Sequence, residues 1–239
     1  MKNHGRDTGD GIEVDNAQWN FSTAVKNFDE HVKKSIPLYD LWQDYIAQLA
    51  SFFLHENSTV YEIGCSTGVL SEKVLKRNPL KKYKYIALDT VPEMIIKAKQ
   101  RLKSDKRAET IINDAITYDY NKCCLFLSYY TIQFIHPSMR QELINKIYQS
   151  LEWGGAFIMF EKVRGPDARF QDILTQLYMD YKTEQGFNES EIVHKTRSLK
   201  GILEPFSTEG NLGLLKRAGF VDIMILCKYL CFEGYLCIK

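Results

Sequence analysis

A turn of small residues follows a short β-branched segment and is the first place in the chain where the backbone could cradle a ligand. The residues are Gly64-Cys65-Ser66-Thr67-Gly68, directly after a predicted strand at 58–63. Gly64 and Gly68 can adopt backbone angles that other residues avoid, and they let the chain approach a ligand without a Cβ clash. At the carboxyl end of a strand in a parallel sheet, such a turn is a nucleotide-binding position.

Two aspartates end the next two predicted strands and carry the polar groups that an adenosine needs. Asp89 lies about 20 residues beyond the glycine turn, where a carboxylate can accept hydrogen bonds from both ribose hydroxyls. Thr90 would line the adenine edge, and Asp114 would accept a hydrogen bond from the adenine amino group. The alternative interpretation is that both aspartates only cap the helices that follow them.

Two other nucleotide-binding patterns do not fit this turn. Dinucleotide-binding dehydrogenases usually carry G-x-G-x-x-G, whereas here three residues separate Gly64 from Gly68. A P-loop needs a Gly-Lys-Ser/Thr sequence, and none follows the turn. The order of strand, glycine turn, helix, strand and terminal acid therefore favours a site for S-adenosylmethionine.

The elements that would position these residues alternate between strand and helix. Predicted strands lie at 58–63, 83–88, 110–112, 123–129 and 156–160, with helices at 69–77, 92–102 and 137–151 between them. Such alternation implies right-handed βαβ units and a parallel sheet. Strands at 221–230 and 232–238, with a turn near Glu233-Gly234, close the chain. We predict an α/β fold with a doubly wound, mostly parallel seven-stranded sheet, Rossmann-like, ending in the C-terminal antiparallel hairpin that is typical of methyltransferases.

Helical patterns outside these units predict a helical lid. The segment 27–54 has helical spacing with a break at Pro37, and two further helices are predicted at 168–184 and 190–203. We expect a flexible N-terminal tail at 1–20 and one domain at 21–239, with the lid at 21–56 and 165–205. The second lid segment is aromatic and not especially basic, which suits a small or planar acceptor: Phe170, Leu177, Tyr178, Tyr181 and Phe187.

Composition argues against several functions. The chain has 31 basic and 30 acidic residues, so no global field draws it to nucleic acid. No run approaches the roughly 20 apolar residues that cross a bilayer, and the polar first residues lack the apolar core of a secretory signal. The six cysteines do not have metal-ligand spacing. We expect a cytoplasmic protein with a small-molecule acceptor, no metal, no membrane partner and no nucleic acid as its direct substrate.

Several motifs extend beyond the common core of this fold. They include Phe28-Asp29-Glu30-His31-Val32, Gln133-Phe134-Ile135-His136-Pro137 and Lys216-Arg217-Ala218-Gly219-Phe220, with shorter matches at 35–39, 61–66, 146–149, 154–155, 161–162 and 186–187. Together they resemble the carboxy-S-adenosyl-L-methionine synthases, a class I methyltransferase branch that serves tRNA wobble-uridine modification. The likeness runs from about Phe28 almost to the C-terminus.

This resemblance implies a set of cofactor contacts and a homodimer. The implied contacts are Tyr39, Gly64, Cys65, Ser66, Asp89, Thr90, Asp114 and Ala115, to which we add Gly68 from the turn and Tyr129 from the end of the fourth strand.

Two positions depart from the synthase pattern. The synthases carry an asparagine where this chain has Tyr129, and an arginine, pairing with the extra carboxylate of the product, where it has Thr196. Threonine cannot neutralise a partly buried carboxylate, and a shift of one residue to Arg197 turns a helical side chain by about 100°. We therefore expect methyl transfer from S-adenosylmethionine to a small-molecule acceptor, with S-adenosylhomocysteine as the product.

Methyl transfer requires an acceptor held in line with the sulfonium methyl in a dry pocket, and a base only if the acceptor is protonated. The candidate catalytic residues are Tyr129, His136 and Glu161, and Tyr130 and His194 are further candidates. Two other functions stay open. One is a carboxy-S-adenosyl-L-methionine synthase that uses S-adenosylmethionine and prephenate, and the other is a non-catalytic S-adenosylmethionine-binding module.

Overall fold

The N-terminal segment folds back onto the protein instead of forming the flexible tail predicted for 1–20. The structure is a computed structural model that describes residues 6–15, 17, 19, 21–79 and 81–239. Its first elements are β1 (Arg6–Asp7) and β2 (Glu13–Val14), which pair as an antiparallel hairpin. Ile12, Val14 and Trp19 are buried and pack with Leu199 and Ile202. The prediction was wrong for these residues because three apolar side chains among polar ones show no periodicity; the rest of the predicted tail lies outside the described residues.

Three helices lead into the sheet: α1 (Phe21–Ala24), α2 (Phe28–Ser35) and α3 (Tyr39–Ala50). The break predicted at Pro37 is present because the residue before a proline avoids the helical region, and Ile36 is extended. Leu38 has φ 58°, a left-handed conformation that starts α3 in a new direction. This turn brings Tyr39 next to Tyr129, a residue near the carboxyl ends of the strands.

The central part of the chain forms the predicted βαβ units. Its elements are β3 (Thr59–Ile63), α4 (Val69–Arg77), β4 (Lys84–Asp89), α5 (Pro92–Leu102), β5 (Ala108–Ile112), β6 (Cys123–Tyr129), α6 (Pro137–Ser150) and β7 (Leu151–Lys162). These five strands pair in parallel. Strand order reverses between β3 and β6, which is the point where ligands enter such sheets.

The C-terminal part completes the sheet: α7 (Ala168–Glu184), α8 (Glu189–Ser198), α9 (Thr208–Ala218), β8 (Asp222–Tyr229) and β9 (Phe232–Ile238). The seven-stranded order is β5-β4-β3-β6-β7-β9-β8, with β9 antiparallel to both neighbours, so the predicted fold class is confirmed. The turn lies at Leu230-Cys231, however, and not near Glu233-Gly234. Those two residues lie inside β9, where Gly234 leaves room for the Phe160 ring.

Both faces of the sheet are covered by helices, as a parallel sheet requires. Alternate residues of β6 enter different apolar layers, since successive side chains of a strand point to opposite faces. Leu125 and Leu127 belong to the layer with Val74 of α4, whereas Phe126 belongs to the layer with Leu143 of α6. Within the described part of the chain, no helix combines the length and apolar character that a membrane span requires.

Candidate functional site

A cavity of about 900 Å³ opens beyond the carboxyl ends of β3, β4 and β6. It is near the upper end of the ~300–1,000 Å³ range of small-molecule sites, so it has room for more than a nucleoside. Most of the predicted site residues line it: Tyr39, Gly64, Cys65, Ser66, Asp89, Thr90, Asp114, Ala115, Tyr129 and His136. Gly68 and Glu161 do not appear on its wall. The structure therefore brings together residues that lie far apart in the sequence.

The glycine turn has an irregular backbone that makes its two glycines necessary. Gly64 has φ 69°, and a Cβ there would lie 2.2 Å from the Thr131 hydroxyl oxygen. Gly68 has φ 79° and precedes α4, and a Cβ there would lie 3.1 Å from Ala98. Gly64 thus keeps the cavity wall open, whereas Gly68 serves the start of the helix.

Asp89 lies on the cavity wall and also holds the turn. Its Oδ2 accepts a hydrogen bond from the Ser66 amide at 2.8 Å, and its Oδ1 accepts one from the Val91 amide at 2.9 Å. Burial raises the pKa of this carboxyl, and these backbone amides oppose that shift. Each carboxylate oxygen has a second acceptor position, so the ribose hydroxyls of an adenosine could still bind.

Asp114 lies two residues after the end of β5 and is an exposed part of the cavity wall. Its Oδ1 accepts a hydrogen bond from the Ile116 amide at 2.7 Å. No helix lies between β5 and β6 among the described residues, so the alternative of a helix cap is wrong for Asp114. Its carboxylate shapes the turn at Ala115, which follows β5, the neighbour of the strand that carries Asp89.

Three tyrosines form one wall of the cavity. Tyr129 donates a hydrogen bond from its Oη to the carbonyl of Tyr39 at 2.6 Å, and their ring centroids lie 4.9 Å apart. Burial holds the pKa of Tyr129 well above its usual value, so this phenol is a poor general base. Tyr130 has φ 59°, and its buried Oη has no hydrogen-bond partner among the described residues.

Glu161 is buried behind the wall. Its two oxygens accept hydrogen bonds from the amides of Ile132, at 3.0 Å, and Gln133, at 2.7 Å. Burial raises the pKa of this carboxyl to about 8. In this position Glu161 anchors the loop after β6, and it has no contact with the cavity through which it could act as a base.

His136 is exposed on the cavity wall and begins α6. Its ring accepts a hydrogen bond from the Ser138 amide, and its Nδ1 lies 2.8 Å from the Ser138 hydroxyl. His136 therefore caps the start of α6, and its catalytic role stays a prediction. His194 lies away from this wall, with its Nδ1 3.1 Å from the carbonyl of Asp7.

Lysines line the cavity at positions that we did not single out from the sequence. Lys162, Lys182 and Lys195 contribute to its wall, and none of them forms an ion pair with an acid among the described residues. For Lys162, the missed signal is its position at the carboxyl end of an apolar strand, where parallel sheets bind ligands.

The environment of these lysines is aromatic. Lys162 lies 4.3 Å and Lys182 4.5 Å from the ring centroid of Tyr178, and Lys195 lies over the ring of Trp19. Burial lowers the pKa of Lys162 and Lys195 and lowers that of Lys182 to about 8. The cavity is therefore lined by cations whose charges are poorly solvated.

The helix α8 presents Thr196 and Arg197 to the same cavity. The Thr196 hydroxyl donates a hydrogen bond to the carbonyl of Ile192 at 2.9 Å and is thus turned to its own helix. We expected the shift of one residue to turn Arg197 away, but Arg197 lines the cavity because the space is wide enough to meet more than one face of α8. Within the described residues, no group of three or more His, Cys, Asp or Glu side chains could hold a metal ion.

Comparisons with known proteins agree with this geometry. A family profile described as "Methyltransferase domain" matches residues 60–155. A carboxy-S-adenosyl-L-methionine synthase of Staphylococcus epidermidis is 35% identical over 227 residues, covering 93% of this chain and 97% of that protein. One of Sulfurimonas denitrificans is 34% identical, with 89% and 90% covered.

Solved structures show the same fold at low identity. Human N-acetylserotonin methyltransferase in complex with S-adenosylmethionine has a TM-score of 0.59 and 18% identity, with 92% of this chain and 58% of that chain covered. An O-methyltransferase family protein of Burkholderia thailandensis has a TM-score of 0.65 and 16% identity, with 91% and 60% covered. The chain thus spans about 60% of the length of these two structures.

Proposed function

We propose, since the chain belongs to the carboxy-S-adenosyl-L-methionine synthase family, that it binds S-adenosylmethionine and transfers a carboxyl group from prephenate to the sulfonium methyl carbon. Prephenate would lose CO2 and hydroxide as its ring becomes aromatic, and the CO2 would join the methyl carbon. The proton that the methyl group gives up would leave with the hydroxide as water. One observation above all supports this function. The same cavity is lined by the glycine turn, by Asp89 and by several cationic side chains that have no acidic partner among the described residues. A methyl acceptor need not be an anion, whereas prephenate carries two carboxylates.

The cofactor would lie across the carboxyl ends of β3, β4 and β5. Asp89 would accept hydrogen bonds from the ribose hydroxyls, and Asp114 would accept one from the adenine amino group. The glycine turn would leave room for the methionine portion near Cys65 and Ser66. When bound, S-adenosylmethionine supplies the sulfonium whose methyl group reacts.

Lys195 and Arg197 on α8 supply the positive charge that Thr196 lacks. Our expectation of methyl transfer depended on there being no cation to pair with an extra carboxylate. Arg197 lies next to Thr196 on the cavity wall, and Lys195 lies on its other side. Either can approach a carboxylate within the cavity, and attraction between opposite charges strengthens where water is excluded.

The walls of the cavity would keep water from the reacting groups. Tyr39, Tyr129 and Tyr130 pack together on the sheet side, with Tyr39 and Tyr129 centroids 4.9 Å apart and Tyr129 and Tyr130 centroids 4.6 Å apart. Tyr178 of α7 also lines the cavity and donates a hydrogen bond to the carbonyl of Ser35 at 2.8 Å. Exclusion of water protects reactive intermediates from hydrolysis.

Methyl transfer to a small acceptor is the second candidate. It is favoured by Thr196 and Tyr129, which stand where the resemblance expects an arginine and an asparagine. In that case the lysines would recognise an anionic group of the acceptor, and S-adenosylhomocysteine would be the product.

Mass spectrometry of the nucleosides formed from S-adenosylmethionine separates these functions. With prephenate present, we expect a product heavier than S-adenosylmethionine by one carboxyl group, and none when prephenate is omitted. The Asp89→Ala variant serves as the control for formation at this site and should lose the product. Absence of the carboxylated product, with S-adenosylhomocysteine formed from an added acceptor, would establish the second candidate instead.

A further inference from the structure

We propose that Lys162, Lys182 and Lys195, together with the Tyr130 hydroxyl, form a subsite that binds the carboxylates of a small, unsaturated dicarboxylic acid. The chemical identity of this ligand rests on the proposed function, but the anion-binding property rests on the side chains alone. The subsite lies between α7, α8, the end of β7 and the start of β9, in the cavity that Ser66 and Asp89 also line.

The lysines come from three elements and converge on one aromatic group. Lys162 ends β7, and Lys182 lies in the last turn of α7. Both ammonium groups contact the ring of Tyr178, at 4.3 Å and 4.5 Å from its centroid. Lys195 of α8 is the third lysine of the subsite. Its charge is close enough to lower the pKa of His31, and the charge of Lys182 is close enough to lower the pKa of Lys195.

This arrangement is unfavourable without a ligand. Buried ammonium groups normally have a carboxylate partner, because desolvation of a single charge is expensive. Lys182 is only 7% exposed and has neither an ion pair nor a side-chain hydrogen bond among the described residues. The faces of Tyr178 and Trp19 offset part of that cost by cation–π attraction. A bound dianion would neutralise most of the remaining charge.

Aromatic walls define the rest of the ligand. The Tyr130 ring meets the Phe232 ring edge-on at 5.6 Å, and Phe232 meets Tyr178 at 5.4 Å, so the lysines and Tyr130 share one chamber. The buried Tyr130 Oη is a free hydrogen-bond donor on this wall, and a buried donor without a partner usually awaits one. Flat apolar walls with two or more cations fit an unsaturated ring that carries carboxylates.

A purely structural role for these lysines makes the opposite prediction about stability. If the ammonium groups only supported the fold, Lys→Met substitution would lower the melting temperature of the free protein. If they await an anion, Met keeps the packing of the lysine stem and removes an unsolvated charge. Lys162→Met and Lys182→Met should then melt at the same or a higher temperature than the wild type.

Calorimetric titration tests the subsite without turnover. The probe is prephenate, added to the full-length protein saturated with S-adenosylhomocysteine, which lacks the methyl group. We expect binding to weaken about 30-fold or more in Lys162→Met and Lys182→Met, and by about three- to tenfold in Tyr130→Phe. The exposed Lys216→Met on α9 is the matched control and should bind as the wild type does, and all variants should bind S-adenosylhomocysteine with unchanged affinity.

The outcomes separate the subsite from the proposed function. Prephenate binding that depends on the lysines, with no carboxylated product, would leave the subsite standing and overturn the function. A carboxylated product, with both Lys→Met variants binding prephenate within about threefold of the wild type, would support the proposed function and overturn the subsite. Failure of the wild-type protein to bind prephenate would overturn the subsite for this class of ligand.

Discussion

Asp89 shows how one side chain can support the fold and also line a cavity. Two backbone amides, at Ser66 and Val91, donate hydrogen bonds to its carboxylate, and Asp89 also lines the cavity. Lys162 shows the same combination, since its backbone amide donates a hydrogen bond to the Gln133 side-chain oxygen while Lys162 also lines the cavity. At this scale the structural and functional interpretations of a residue are not exclusive.

Replacement of Asp89 by Ala should weaken binding of S-adenosylmethionine about 30-fold or more, because both ribose contacts and the brace on the glycine turn are lost. Isothermal calorimetry measures this directly. The exposed Asp119→Ala, on a loop before β6, removes a carboxylate elsewhere and should leave the affinity unchanged. Equal affinity in Asp89→Ala and the wild type would remove Asp89 from the cofactor site.

His31 should make the fold sensitive to acid. It is buried, its Nδ1 lies 3.0 Å from Asp10, and burial lowers its pKa from 6.5 to about 4. Below pH 6.5 the unfolded chain therefore binds a proton that the folded protein does not, so stability falls as the pH drops towards 4. The expected loss from this group between pH 7 and pH 5 is about 2 kcal/mol.

Denaturant unfolding at pH 7 and pH 5 checks this value. The His31→Gln variant cannot titrate there, so its stability should fall by about 2 kcal/mol less than that of the wild type over the same interval. The same decrease in both proteins would show that His31 is not responsible.

At the scale of elements, α8 depends on the N-terminal segment for its position. Its last carbonyls would lack intrahelical partners, and two of them accept hydrogen bonds from that segment. The Ala17 amide donates to the Arg197 carbonyl at 3.0 Å, and the Trp19 amide donates to the Ser198 carbonyl at 3.2 Å. The segment thereby fixes the end of α8 that carries Arg197 and Lys195 to the cavity.

Arg197→Gln should therefore weaken binding of the carboxylated product about tenfold, because a charge-assisted hydrogen bond is lost, and leave S-adenosylmethionine binding unchanged. Competition calorimetry with both nucleosides measures the two affinities. Arg77→Gln, on the exposed end of α4, is a matched control. An equal loss for both nucleosides in Arg197→Gln would indicate a general effect on the helix and not recognition of the carboxylate.

At the scale of the whole molecule, one cavity joins the sheet, the N-terminal segment and the helices α7 and α8. Trp19, Asp89, Tyr178 and Arg197 all line it, although they come from four parts of the chain. A ligand that fills the cavity therefore contacts all of these parts at once. The homodimer implied by the resemblance stays a prediction, which light scattering on the purified protein can check.

Cofactor binding should stabilise the whole protein against unfolding. A ligand that binds only the folded state adds about 2.7 kcal/mol when its concentration is 100 times the dissociation constant. Thermal unfolding with S-adenosylhomocysteine should show this increase in the wild type and much less of it in Asp89→Ala at the same concentration. A stabilisation that is equal in both proteins would place the ligand outside this cavity.

Much of the fold could be predicted from the sequence because its signals are local. Strand periodicity, helix amphipathicity and the proline of α5 placed Val69–Arg77, Pro92–Leu102 and Cys123–Tyr129 at their observed bounds. The turn of the C-terminal hairpin was misplaced, since Gly234 looks like a turn residue. Only the approach of the Phe160 ring shows why a glycine stands inside that strand.

The sequence by itself determined the order of the elements, the glycine turn and the two aspartates at the strand ends, because each depends on residues close together in the chain. The tertiary structure decided which distant residues meet. It placed Glu161 under the loop at Gln133, gathered Lys162, Lys182 and Lys195 around aromatic rings, and brought Arg197 to the cavity. Burial and charge pairing are properties of such long-range contacts, and no local pattern encodes them.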